Sequence, residues 1–113
     1  PGVDAQWKED IYDRTKKSGA EVIKLKGGAG YAVGLSIKTV VEAIALDKKA
    51  VLPVSSLQDG SVYGIKDVCL SVPTVVGKNG VEKLIQPQLT EAEIAGLQNS
   101  GKVLKETLSQ IEK

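Results

Sequence analysis

Glu21-Val22-Ile23-Lys24-Leu25-Lys26 can be read two ways, and the choice separates two fold classes. The segment alternates like a strand, yet Ile11, Thr15, Gly19, Val22 and Ile23 recur at helical spacing from Asp4 onward. As a strand it would enter Gly28-Ala29-Gly30-Tyr31-Ala32-Val33-Gly34, a GxGxxxG relative of the dinucleotide fingerprint. Asp47 would then lie downstream to hold a ribose, and pyrophosphate would sit on the N-terminus of the following helix. As the last turn of a helix running from Asp4 to Lys26, the same residues leave the glycines a plainer role, a sharp turn between two helices. Two physical objections weigh against the nucleotide site built on Gly28, Gly30 and Gly34. The segment fits a long helix better than an isolated strand, and nothing downstream repeats the strand–helix alternation of a parallel nucleotide-binding sheet.

Downstream, Val33, Ile37, Val40, Val41 and Ile44 define one face of a second helix from Tyr31 to Leu46. Ala50-Val51-Leu52-Pro53-Val54-Ser55 reads as a strand, with Pro53 arguing for an edge or a bulge. Asp59-Gly60 marks a turn, and Cys69 to Val76 supplies another strand or two around Pro73. Asn79-Gly80, between Val75-Val76 and Val81-Glu82-Lys83-Leu84-Ile85, favours the left-handed conformations of a tight hairpin. Thr90-Glu91-Ala92-Glu93 has the form of a capping box. Ile94, Leu97, Gly101, Leu104, Leu108 and Ile111 then form one apolar stripe along a terminal helix, which is expected to pack on the sheet. The order predicts an α+β fold: two N-terminal helices, a small antiparallel sheet with a hairpin, and a long C-terminal helix. Residues 1–113 are read as a single domain, of a length that buries about two-thirds of its unfolded surface.

Fifteen basic and fourteen acidic residues, mixed along the chain, form no footprint for nucleic acid. No apolar run reaches the roughly twenty residues that span a bilayer. Cys69, the only cysteine, lies between Val68 and Leu70 and reads as a buried small hydrophobe. The absence of an intrachain disulfide, and of a signal-like start, fits the cytosol. Histidine is absent altogether, which removes the usual acid–base catalyst near neutral pH. Ser55-Ser56 has no base to activate either hydroxyl. Trp7 reads as a packing anchor or a subunit contact, and Lys66-Asp67 and Lys78-Asn79 as turn chemistry.

Taken in order, Gln6-Trp7-Lys8-Glu9, Glu21 to Gly27, Ala32-Val33-Gly34-Leu35-Ser36, Val51 to Ser55, Tyr63-Gly64-Ile65-Lys66, Leu70-Ser71-Val72-Pro73 and Gly77-Lys78-Asn79-Gly80 closely resemble consecutive blocks of L-lactate dehydrogenases. The resemblance covers nearly the whole chain and implies the C-terminal, substrate-binding domain of the lactate/malate dehydrogenase family. It implies that Glu21–Lys24 ends a helix and that the NAD-binding Rossmann domain lies outside these residues. It further implies hydride transfer between NAD and a 2-hydroxy or 2-oxo acid, a homo-oligomer, and a general acid/base histidine that this chain does not carry. Arg14, the only arginine, lies outside the family's catalytic motifs.

Two positions inherit a role from the resemblance. Ala29 falls where many lactate-specific members have a threonine that helps shape the substrate pocket, and Val33 where an aliphatic residue packs against nicotinamide. Val33 reads equally well as a helix residue facing the core. Ala29 departs from the pattern, and a smaller side chain implies a roomier pocket. A stand-alone binding or assembly module with the same fold is the alternative from a different class. In either case the chain alone is expected to show no turnover.

Overall fold

The computed structural model describes residues 4–28 and 30–111. Three helices and a three-stranded antiparallel sheet follow in the expected order: α1 (Ala5–Lys26), α2 (Gly30–Ala45), β1 (Ala50–Asp59), β2 (Lys66–Gly77), β3 (Gly80–Leu84) and α3 (Glu91–Ile111). By internal contacts the chain forms two compact units, residues 1–38 and 39–113.

In the first unit the ambiguous hexapeptide is helical, so no strand precedes the glycines. That removes the sheet on which a dinucleotide site at Gly28, Gly30 and Gly34 would depend. Asp4 caps α1, its Oδ1 accepting from the N–H of Gln6 at 2.6 Å and of Trp7 at 3.2 Å. Gly27 ends it at φ 72°, donating its N–H to the Ile23 carbonyl at 2.8 Å. No described residue of α1 is buried. Trp7, read as a packing anchor, is 55% exposed and has no core within the described residues to anchor to.

The second unit holds the core: Ala43 at the end of α2 with Val62, Ile65, Val68, Val72 and Val76. The sheet order is β1-β2-β3. Alternation along β2 turns Val68, Val72, Thr74 and Val76 inward, which puts Cys69 on the exposed face. The expected burial of Cys69 is therefore wrong: period-two geometry outweighs the apolar neighbours that suggested it. Pro53 lies opposite Pro73 in the β1–β2 register, on an edge strand as its missing donor requires. The Pro73 carbonyl accepts from the Ile85 N–H at 2.8 Å, on the β3 side. In an antiparallel ladder a residue's N–H and C=O share a side, so the Pro53–Pro73 pair is of the non-hydrogen-bonded kind and neither ring breaks a rung.

The hairpin forms one residue earlier than the dipeptide implied. Gly77 pairs with Gly80, so Lys78 and Asn79 make the turn, and of these residues only Gly80 takes a positive φ, 79°. Asp47 and Lys49, at φ 48° and 49°, bend the chain between α2 and β1 and bring both side chains to this hairpin. Asp47 Oδ1 accepts from the Lys78 N–H at 2.9 Å, and Lys49 Nζ lies 2.9 Å from Glu82 Oε2. A Cβ on Gly77 would stand 2.8 Å from Asp47 Oδ1 and from Glu82, so glycine is needed for this approach.

The Lys78 N–H, followed by neighbouring Lys49, holds the Asp47 carboxyl below the usual carboxylate range. A depressed folded pKa contributes stability above the unfolded value and loses it as pH falls through the folded one. Acidification below about pH 4, the unperturbed carboxylate range, is expected to speed Lys78 amide exchange beyond the ordinary pH trend. Asp47→Asn should remove that acid-specific step; an identical profile in both proteins would show that the carboxylate does not hold the turn.

Thr90 and Glu93 form the expected reciprocal box, with Thr90 N–H donating to Glu93 Oε2 at 2.8 Å and Glu93 N–H to Thr90 Oγ1 at 3.3 Å. From there α3 lies against β2, where Gly101 is buried close to Ile65 and Val68. The stripe predicted to pack throughout does so only in its first half; Leu104, Leu108 and Ile111 are exposed.

Candidate functional site

Of the two residues singled out for pocket and cofactor, Val33 is among the described residues. Ala29 falls outside the described residues. Val33 sits one turn into α2 and is 54% exposed; Ile37, one turn further, is 58% exposed. The reading of Val33 as a core residue therefore fails within the described chain. Around it, a Cβ on Gly30 or Gly34 would meet nothing within 4 Å, so no close packing demands glycine there. The result is an open, methyl-bearing helix face. Covering a valine fully is worth about 1.5–3 kcal/mol, so a flat apolar group placed on this face would be held by desolvation rather than by charge.

The other candidates are not gathered here. Asp47, considered as a ribose ligand, is committed to Lys78 and Lys49 in the second unit. Arg14 lies along a surface groove of α1 with Trp7, Ile11 and Glu21. Ser55 is exposed and Ser56 buried, and the closest side-chain partner of Ser56 Oγ is the Gln58 amide at 3.5 Å. Neither hydroxyl meets a base.

Electrostatics add no acid–base centre. The Lys49 pKa is raised, first by Glu82, and Asp59 is lowered by the hydroxyl and N–H of Ser61. Both belong to turns and ion pairs. Among the described residues no group of three or more Cys, Asp or Glu is placed to hold a metal, and no helix is long and apolar enough to cross a membrane. Among the described residues, the chain offers at Val33 an exposed apolar helix face. A feature not anticipated from sequence is a concavity of about 290 Å³ beside α3, edged by Lys66, Lys102 and Lys105.

The known proteins that this chain resembles are dehydrogenases. The L-lactate dehydrogenase of Acetivibrio thermocellus is 43% identical over 102 residues, covering 90% of this chain and 32% of its own length. L-lactate dehydrogenase 1 of Clostridium acetobutylicum is 46% identical over 108 residues, covering 96% and 34%. The chain thus spans about a third of the length of these relatives. Malate dehydrogenase from Salinibacter ruber superimposes with a TM-score of 0.89 at 35% identity, over 97% of this chain and 36% of that one. Malate dehydrogenase from Archaeoglobus fulgidus, in complex with NADH, gives 0.86 at 34% identity over 100% and 37%. Residues 2–113 match the lactate/malate dehydrogenase α/β C-terminal domain, and the chain belongs to that family.

Proposed function

We propose that residues 1–113 are the substrate-binding domain of an NAD-dependent dehydrogenase that interconverts a 2-hydroxy and a 2-oxo acid, with (S)-lactate and pyruvate as the pair. The observation that carries the choice of lactate is the identity of 43% and 46% to enzymes named L-lactate dehydrogenase over nine-tenths or more of this chain. In this reading NAD, when bound, supplies the hydride acceptor or donor. The chain's own part is shape and dryness. Val33 would shield one face of the nicotinamide from water, and Ala29 would leave space beside the substrate side chain. The proton and the carboxylate-binding charge come from residues outside this chain, which has no histidine and whose single arginine lies on α1.

The surroundings proposed for the whole protein are the cytosol and a homo-oligomer. Exposed Trp7, Ile11 and Val22 on α1, and Leu35, Ile37 and Val41 on α2, supply apolar area for the missing domain and for a second subunit.

Steady-state kinetics of the full-length enzyme on pyruvate, oxaloacetate and a branched 2-oxo acid tests the proposal. Pyruvate is expected to be reduced in preference to oxaloacetate, with the branched acid within about tenfold of pyruvate, the scale of discrimination set by one small side-chain group. A preference for oxaloacetate would reassign the substrate to malate. Strict exclusion of the branched acid would remove the roomy pocket at Ala29. The isolated chain is expected neither to turn over nor to bind NADH; micromolar binding in a calorimeter would revive a nucleotide site at the glycines.

A further inference from the structure

Within residues 39–113, Tyr63 to Lys66 and the middle of α3 border an open concavity of about 290 Å³. This lies near the lower end of small-ligand clefts, about 300–1,000 Å³. Its floor includes Ile65 and Gly101, where the missing side chain lets the two elements approach. Its rim is held in place by Tyr63. That residue, at φ 48°, donates its N–H to Gln86 Oε1 at 3.0 Å, donates its hydroxyl to the Pro87 carbonyl, and accepts from Gln98 Nε2 on α3 at 3.0 Å. The walls are thus preorganised rather than recruited.

The charge on this rim is unbalanced. Lys66, Lys102 and Lys105 line it and, among the described residues, no acidic one does. Asp59 stands opposite Lys66 in the β1–β2 register, but its Oδ1 accepts from the Ser61 N–H at 2.9 Å and it forms no ion pair with Lys66 among the described residues. Lys105 likewise has no ion pair among the described residues. Among the described residues Lys102 reaches only exposed Glu106, at 4.0 Å, a separation that contributes little in water. The Gly64 N–H, on the same rim, donates to no described group. The three lysines line one hollow, where a multivalent anion would accept hydrogen bonds from their ammonium groups.

We propose that this concavity binds a small phosphate-bearing anion through Lys66, Lys102 and Lys105. Ammonium groups act there as point charges on flexible stems, suited to phosphoryl oxygens approached from several directions. The site shares no residue with the pocket wall proposed at Val33 and stands whether or not the dehydrogenase reading does.

Calorimetric titration of the protein with inorganic pyrophosphate, inorganic phosphate and glycerol 3-phosphate at low ionic strength tests it. Saturable pyrophosphate binding is expected, roughly tenfold weaker in each of Lys66→Gln and Lys105→Gln, as loss of one charge-assisted hydrogen bond implies. The double variant should lose roughly 100-fold if the two contributions add, with an unchanged circular dichroism spectrum. Lys16→Gln/Lys17→Gln on α1 should leave affinity unaltered. Preference for glycerol 3-phosphate over inorganic phosphate would support an organic ester as occupant, and the reverse preference the free ion. No saturable binding, or equal loss from the α1 variant, would overturn the site.

Discussion

Val33→Asp is expected to lower kcat/KM for NADH-dependent pyruvate reduction by the full-length enzyme roughly 100-fold, equivalent to about 2.7 kcal/mol of transition-state stabilisation. The dihydronicotinamide ring of NADH is neutral, so a carboxylate placed against it must shed water with nothing returned. Because Val33 is 54% exposed on α2, the substitution should not disturb the helix's own packing, and the thermal transition should stay near that of the parent. Val33→Ala, which only thins the apolar layer, should cost a few-fold at most. Full activity in the aspartate variant would remove Val33 from the cofactor site. A parallel fall in stability and activity would mean instead that α2 is covered there by protein.

Gln58→Ala is expected to destabilise the protein by about 3 kcal/mol, from a cavity and two lost donors together. Gln58 is 1% exposed and sits where the β1–β2 register shifts between Leu57 and Asp59. Its Nε2 donates to the Ser56 carbonyl at 2.9 Å and the Leu70 carbonyl at 3.1 Å, stitching across the irregularity. Its Oε1 has no partner among the described residues, so the amide is stabilising through its nitrogen alone. Gln58→Met keeps the volume and deletes the orphaned oxygen with the donors, and should cost about 1–2 kcal/mol. Urea unfolding at constant m-value ranks the three proteins. If methionine proved as costly as alanine, the hydrogen bonds rather than the filled volume would carry the effect.

How far each element was legible depends on whether its cause is local. Asp4, Gly27, Thr90 and Glu93 act on backbone groups within one turn, so the ends of α1 and the start of α3 were readable residue by residue. The polar continuation Ser55-Ser56-Leu57-Gln58-Asp59 does not look like a strand, yet β1 runs through it because β2 supplies partners as far as Lys66. Cys69 faces outward by alternation along β2, while the choice between Lys78-Asn79 and Asn79-Gly80 as the turn is set by register, a property of two strands and not of either alone. Spacing identifies the apolar faces of α1 and α2 but not what covers them, and Val33, which read equally well as core, is exposed. Ala29 and Val33 carried no signal of their own; only their place among resembling blocks selected them. The lysine-edged concavity was invisible in the sequence, since Lys66 meets Lys102 and Lys105 only through the fold.

Pro53 has a further effect on how the molecule can associate. Paired with Pro73 at a non-hydrogen-bonded position, it directs its backbone nitrogen toward the free side of β1, where an ordinary residue would offer a donor to an incoming strand. That rung is blank. The opposite edge is β3, a strand of only 5 residues. Both margins are therefore poor templates for growth by strand addition, the route by which partly covered sheets polymerise. Any contact between copies is thereby steered away from the sheet margins.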